Sequence, residues 1–272
     1  SGITAHVASA SFMVASGARG SLGPRTEFPT VSHVLFYGRE YEEVLSMVAL
    51  TEKDLAGKKV LDCPSGPDAF VAEAVKRGFN VMGCDPLYVK SHREIVESGM
   101  SDITLAIEET RKRTPVFGDI DMEAFTARKF RALDRFTEDF EAGREMGRYV
   151  PAALPSLPFE DRTFDLVISA NLLFTYSSPA TGGISSSDKL NLDFHRESVH
   201  ELIRVCRGEL RLYPVMMHGK NRLHPYVAQI IGQLAADGVA MTFIQSTYEQ
   251  SSFTGSLVLV IDCAEPAKVE RN

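Results

Sequence analysis

Apolar positions recur along the chain in two rhythms, and their alternation predicts the architecture. From Leu35 to Leu50, Leu35, Tyr41, Val44, Leu45 and Val48 fall at helical spacing, which predicts a helix from about Glu40. Val60-Leu-Asp-Cys then reads as a short strand, and Ala69 to Arg77 as a helix with Phe70, Val71, Ala74 and Val75 on one side. Gly78 closes that helix, and Phe79 to Cys84 is a second strand ending at Asp85-Pro86. Lys90 to Arg148 carries 11 Lys/Arg and 13 Asp/Glu, with Phe130, Leu133, Phe136 and Phe140 at helical spacing. It predicts two or three amphipathic helices whose aromatic stripe packs on the core.

Tyr149-Val150 opens another strand, and Thr163 to Asn171 forms one whose continuous apolar centre suits a sheet covered on both faces. Ser177 to Asp188 is a polar loop. His195 to Val205 is a helix, Gly208 to Val215 a strand and Tyr226 to Asp237 a helix. Ala240–Tyr248 and Ser256–Asp262 form an antiparallel hairpin. Strands alternating with helices predict an α/β fold: a Rossmann-like, doubly wound sheet, mostly parallel with a C-terminal antiparallel hairpin strand, plus a helical insertion after strand 2. Residues 1–39 read as an N-terminal arm and 40–272 as one domain, with the insertion at about 90–148.

Composition narrows the function. The 272 residues hold 29 Lys/Arg and 36 Asp/Glu, a net charge of −7, which disfavours a polyanion-binding surface and hence a nucleic-acid partner. No apolar run approaches the roughly 20 residues that span a bilayer, so no membrane partner is expected. Cys63, Cys84, Cys206 and Cys263 are far apart, form no CxxC or Cys/His cluster and sit beside apolar runs. They read as free core cysteines in a reducing, cytoplasmic compartment, with no metal site. The first 26 residues contain no acid, a composition shared by organelle-targeted precursors.

The chemistry is expected at the first strand–helix turn, Asp62-Cys-Pro-Ser-Gly-Pro-Asp68, where an open α/β sheet binds its ligand. Gly66 lets a ligand approach the backbone. Asp85, ending the second strand 23 residues after Asp62, is placed to accept both hydroxyls of a ribose. A dinucleotide site requires G-x-G-x-x-G; here an acid precedes the glycine and Pro64 and Pro67 flank it. A carboxylate at Asp62 repels a pyrophosphate and suits an ammonium group.

These residues resemble the class I S-adenosylmethionine-dependent methyltransferases, in particular their small-molecule branch. Val60-Leu-Asp-Cys-Pro-Ser-Gly-Pro is similar to the family's first motif, and Leu157 to Phe174 (LPFEDRTFDLVISANLLF) to its fourth-strand block. The likeness is specific over residues 58–88 and 154–174. It implies S-adenosyl-L-methionine as cofactor, with the turn Asp62, Cys63, Pro64, Ser65 and Gly66 at the methionyl part. Asp85 would hold the ribose, and Pro86, Leu87, Ala153 and Leu154 the adenine. Asn171 and Leu172 would lie beside the donor, and Tyr37 and Arg39 would close over it. Tyr176, His195, His218 and His224 are the candidate bases or acceptor contacts. Asp165 reads as fixing a turn. Pro64 and Asp68 depart from the family pattern, where glycine or a small residue is common. The expected reaction is methyl transfer to a small-molecule acceptor by in-line displacement. The alternatives are a donor-binding relative without turnover and an NAD(P)-dependent oxidoreductase.

Overall fold

A computed structural model describes residues 30–117, 120–248 and 256–264 of the chain. Most of the expected N-terminal arm, residues 1–29, and the hairpin tip at 249–255 lie outside the described residues. Strands β1 (Lys59–Asp62), β2 (Asn80–Cys84), β3 (Tyr149–Val150), β4 (Phe164–Ala170), β5 (Cys206–Tyr213), β6 (Met241–Gln245) and β7 (Leu257–Asp262) form one sheet in the order β3-β2-β1-β4-β5-β7-β6. The first five pair in parallel, and β7 runs antiparallel to both β5 and β6. This is the expected Rossmann-like, doubly wound sheet with one reversed strand. Strand order reverses between β1 and β4, so the crevice opens at their carboxyl ends.

The pleat divides the core. Val60, Leu166 and Ile168 face a cluster with α1 (Tyr41–Met47), α3 (Phe70–Lys76), α4 (His92–Phe117) and α5 (Met122–Glu145). Leu61, Val167, Leu210 and Leu212 face α6 (Leu192–Val205) and α7 (Pro225–Ala236) on the other side. A short helix α2 (Glu52–Leu55) precedes β1. Local signals set the ends. Glu40 and Glu43 form a capping box on α1, Gly78 follows α3 at φ +88°, and Asp121 caps α5 by accepting from the Ala124 N–H.

The charged stretch 90–148 becomes two helices, α4 and α5, that make up the β2-to-β3 crossover. Phe136 and Phe140 on α5 stack among Tyr88 and Tyr149, as a core stripe does. Several boundaries differ from expectation, two of them for a local reason. β5 ends at Tyr213, because Pro214 has no N–H to continue the ladder. α6 starts at Leu192, since the Asn191 side chain accepts from the Phe194 N–H at 3.0 Å and starts the helix three residues early. Asp165 accepts from the Lys59 N–H and pairs with Arg207, tying the starts of β1, β4 and β5 together. All four cysteines are buried and unbridged. Among the described residues, no helix is long and apolar enough to cross a membrane.

Candidate functional site

At the carboxyl ends of β1, β2 and β4 lies a cavity of about 880 Å³, towards the upper end of the roughly 300–1,000 Å³ usual for small-molecule sites. Its floor is the turn after β1. Gly66 sits there at φ +52°, a conformation that disfavours a side chain. The turn is locked from below: the Tyr88 hydroxyl donates to the Gly66 carbonyl at 2.5 Å, and the Ser65 N–H to Cys84 at 2.9 Å.

The backbone donors of the turn are already committed. Cys63 N–H bonds Ile168, Asp68 N–H bonds Ser65, and Gly66 N–H is directed at the Asp85 carboxylate. Pro64 and Pro67 have no N–H at all. A phosphate cradle needs free amides. This turn offers none in the stretch from Cys63 to Asp68.

Asp85 stands on the cavity wall, 7% exposed, with Oδ1 accepting from the Leu87 N–H at 2.8 Å. Burial pushes its carboxyl up to about 6, against the pull of the Leu87 and Gly66 N–H groups. Pro86, Leu87, Ala152, Ala153 and Leu154 form an apolar slot beside it. Asn171, in the left-handed region at φ +62°, and Leu172 reach the cavity from the end of β4. Cys63, Pro64, Ser65 and Gly66 line it as well.

Asp62 does not line it. Its side chain lies beneath the turn, 1% exposed, with Oδ2 lacking a hydrogen-bond partner. Burial, reinforced by Asp68 and Asp85, pushes its carboxyl well above the ordinary range. Of the two acids of the turn, Asp68 is the one that lines the cavity, and burial pushes its carboxyl up to about 7 against the opposing effects of Arg39 and Lys129. The expectation for Asp62 is corrected in this respect: Asp68, read from sequence as a departure, occupies the facing position.

Residues 31–39 form the roof. Val31 pairs with Ile184 and Ser186 through the backbone, the Leu35 N–H donates to the Tyr176 hydroxyl at 3.1 Å, and the Phe36 N–H to Asp102 Oδ2 at 2.7 Å. At the turn, the Arg39 N–H donates to Asp68 and its carbonyl accepts from the Ala69 N–H. Gly38 packs so closely on Pro67 that a Cβ would overlap the Pro67 carbonyl. Gly38→Ala is therefore expected to lift this segment and lower stability by about 1–3 kcal/mol. Faster proteolysis within residues 30–40, with the remaining domain intact, is the measurement that checks it.

Arg39 is 5% exposed and lines the cavity. Its guanidinium bonds only neutral oxygens, the Gly38 carbonyl at 3.4 Å and the Tyr37 hydroxyl at 3.1 Å, and lies over the Tyr37 ring. Nε has no partner, and among the described residues no carboxylate lies within 4 Å of the guanidinium. Lys129 on α5 is fully buried nearby, donating to Gly38 and 3.6 Å from Glu43. Burial lowers its ammonium to about 7.

Of the four proposed base or acceptor contacts, Tyr176 and His218 line the cavity. His195 and His224 do not, and their expectation is corrected. His195 Nε2 accepts from the Phe174 N–H at 2.8 Å while Nδ1 bonds the Asn191 carbonyl at 2.7 Å. His224 bonds Ser177 Oγ at 2.8 Å and accepts from the Tyr226 N–H. Both are fully buried, and burial lowers both pKa values, that of His224 to about 4. They brace the loop after β4 as neutral rings. The available sequence signal was His195 itself, in register with Val199 and Leu202 on the apolar stripe of α6.

From sequence, the helical insertion after strand 2 was expected, with the Ser177–Asp188 loop, to shape the acceptor pocket, but none of its residues was singled out; α4 lines the cavity. Glu94, Glu97, Asp102 and Glu109, with Ser98 and Ser101 between them, fall on its cavity side. The three- and four-residue steps among Glu94, Glu97, Ser98, Ser101 and Asp102, with Glu109 seven residues further on, were the signal.

No protein-family model matches the sequence. An uncharacterised protein of Methanocaldococcus jannaschii is 28% identical over 183 residues, covering 66% of this chain and 76% of its own length. Solved structures similar to this chain include a SAM-dependent methyltransferase of Thermotoga maritima, described as a possible histamine N-methyltransferase. That pair is 11% identical with a TM-score of 0.38, over 82% of this chain and 88% of the other. Another is the magnesium protoporphyrin IX methyltransferase of Synechocystis PCC 6803 with bound SAM, 14% identical with a TM-score of 0.41, over 82% and 79%.

Proposed function

We propose that the protein is an S-adenosylmethionine-dependent methyltransferase acting on a small molecule. The observation that carries this reading is that Arg39 and Asp85 line the same cavity. The buried guanidinium of Arg39 bonds only neutral oxygens and keeps Nε unpaired, with Asp68 and Glu43 acting on it without a direct bond, so it can take a ligand carboxylate. A carboxylate at the end of β2 suits a ribose. A ligand that joins a ribose to an amino-acid carboxylate satisfies both.

The residues present fit that cofactor. Arg39 would hold the methionyl carboxylate and Asp68 its ammonium, while Asp85 would accept from the ribose and Leu87, Ala153 and Leu154 would cover the adenine. When bound, S-adenosylmethionine supplies an electrophilic methyl group to an in-line nucleophile. The chain's contribution is positioning and exclusion of water by the roof from Val31 to Arg39. Tyr176 and His218 are the residues placed to contact the acceptor or to take its proton. Asn171 and Tyr37 flank them.

The oxidoreductase alternative is disfavoured by the turn. Its amides are committed internally, and a pyrophosphate would meet Asp68 and Asp85 without compensating donors. Calorimetry with S-adenosylhomocysteine is expected to show binding and with NAD none; binding of NAD alone would overturn the reading. A turnover screen with S-adenosylmethionine over amine, thiol, phenol and carboxylate acceptors separates an enzyme from a donor-binding relative.

A further inference from the structure

The cavity wall contributed by α4 is strongly acidic. Glu94, Glu97, Asp102 and Glu109 face the cavity, whereas Arg39 and Lys90 are the two strong cations among its described lining residues. Three of the four acids are engaged locally. Glu94 accepts from the Ser91 N–H and hydroxyl, Glu97 pairs with Arg93, and Asp102 holds the Phe36 N–H and His33.

Glu109 differs. It is only 9% exposed, its Oε1 pairs with the exposed Lys112 at 2.6 Å, and its Oε2 is buried with no hydrogen-bond partner. A buried carboxylate oxygen normally accepts one or more hydrogen bonds, and leaving one unmade is unfavourable. Glu109 also lies about four helical turns beyond Glu94. α4 starts at His92, seven residues after Asp85, so along the helix Glu94 stands nearer the end of β2 than Glu109 does. Phe125, Tyr37 and Tyr176 add aromatic surface to the cavity, the Phe125 and Tyr37 rings facing Lys129, whose ammonium burial lowers to about 7.

We infer that the half of the cavity beside Glu109 takes a small organic cation, a protonated amine, with Glu109 Oε2 accepting its N–H. The inference rests on the methyltransferase reading only for the role of that cation as acceptor; the cation subsite itself is a property of Glu109 and its surroundings. In the proposed binding mode the donor does not occupy this end, because Arg39, Asp68 and Asp85 would hold it at the strand ends. Lys112 on the surface competes for the same carboxylate, so its removal acts in the opposite sense to removal of the Glu109 charge.

The test uses three probes of similar shape: 2-phenylethylammonium, 2-phenylethanol and 3-phenylpropanoate. They are titrated into the full chain by calorimetry, with and without S-adenosylhomocysteine, which is also titrated alone. The ammonium is expected to bind about tenfold or more tighter than the alcohol, and the carboxylate not at all. Glu109→Gln should erase that preference, while Lys112→Ala, at an exposed site, should retain or strengthen it. Equal binding of the three probes, or a preference untouched by Glu109→Gln in a protein that melts as the wild type does, overturns the inference. If Glu109→Gln fails to fold, loss of the preference in Lys112→Ala overturns it instead. Binding of S-adenosylhomocysteine without the ammonium removes the cation subsite and leaves the donor reading standing. Binding of the ammonium without S-adenosylhomocysteine supports the subsite and removes the donor reading.

Discussion

Replacing Asp85 by asparagine is expected to weaken S-adenosylhomocysteine binding by about a hundredfold while making the protein more stable at neutral pH. Both effects follow from one buried carboxylate. Its pKa is pushed up to about 6 from an ordinary value of 3.8, burial being the main cause. Between those two values the folded state holds a proton that the unfolded chain has released, so stability falls as pH rises through the interval. Above it, the buried charge costs about 3 kcal/mol relative to the neutral form. Asparagine keeps an oxygen for the Leu87 N–H and carries no charge, so a gain of about 1–3 kcal/mol is expected in urea unfolding at pH 7. Wild-type affinity for the ligand should also fall as pH drops below about 6, and the variant should show no such dependence. Undiminished binding by Asp85→Asn would remove this residue from the ribose site. Loss of stability would show that its charge is compensated in the free protein.

The second large effect concerns Arg39. Arg39→Met retains the length of the side chain and removes a buried cation whose guanidinium, among the described residues, bonds only neutral oxygens. Affinity for S-adenosylhomocysteine is expected to fall about a hundredfold, the scale of a lost charged hydrogen bond in a desolvated site. 5′-Methylthioadenosine has the same nucleoside but neither carboxylate nor ammonium, so its affinity should be unchanged. A parallel loss for both ligands would mean that Arg39 shapes the cavity rather than binding the carboxylate.

The parts of this site that were legible in the sequence are those whose chemistry is local. Asp62 to Gly66, Gly78 and Asp85 lie within one strand–helix–strand unit, where a turn and a strand end are set by neighbouring residues. Arg39 and Tyr37 were recognised as covering residues through the resemblance, although nothing in the sequence indicated that the Arg39 guanidinium bonds only neutral oxygens. Whether Asp62 or Asp68 faces the cavity was not legible, because Pro64 and Pro67 shape a turn that tucks the first acid under itself. The insertion was expected to help shape the pocket, but which of its residues face inward was not legible, because that depends on how α4 packs against α5. The histidines show the reverse error. Position after a strand suggested chemistry for His195 and His224, while the helix stripe and the cap that fix their rings pointed to the core.

The place of β7 between β5 and β6 separates the order of synthesis from the order of assembly. β5 emerges with Leu210 and Leu212 ready to pair, yet their partners Ile261 and Leu259 come about fifty residues later. β6 emerges before them and has no neighbour until β7 arrives, since β7 is the strand it pairs with. A nascent chain therefore carries an open edge along β5 and a detached β6 until residues 257–262 have left the ribosome, and exposed edges of this kind are templates for pairing with other chains. Chaperone demand and truncation sensitivity should concentrate at this late step.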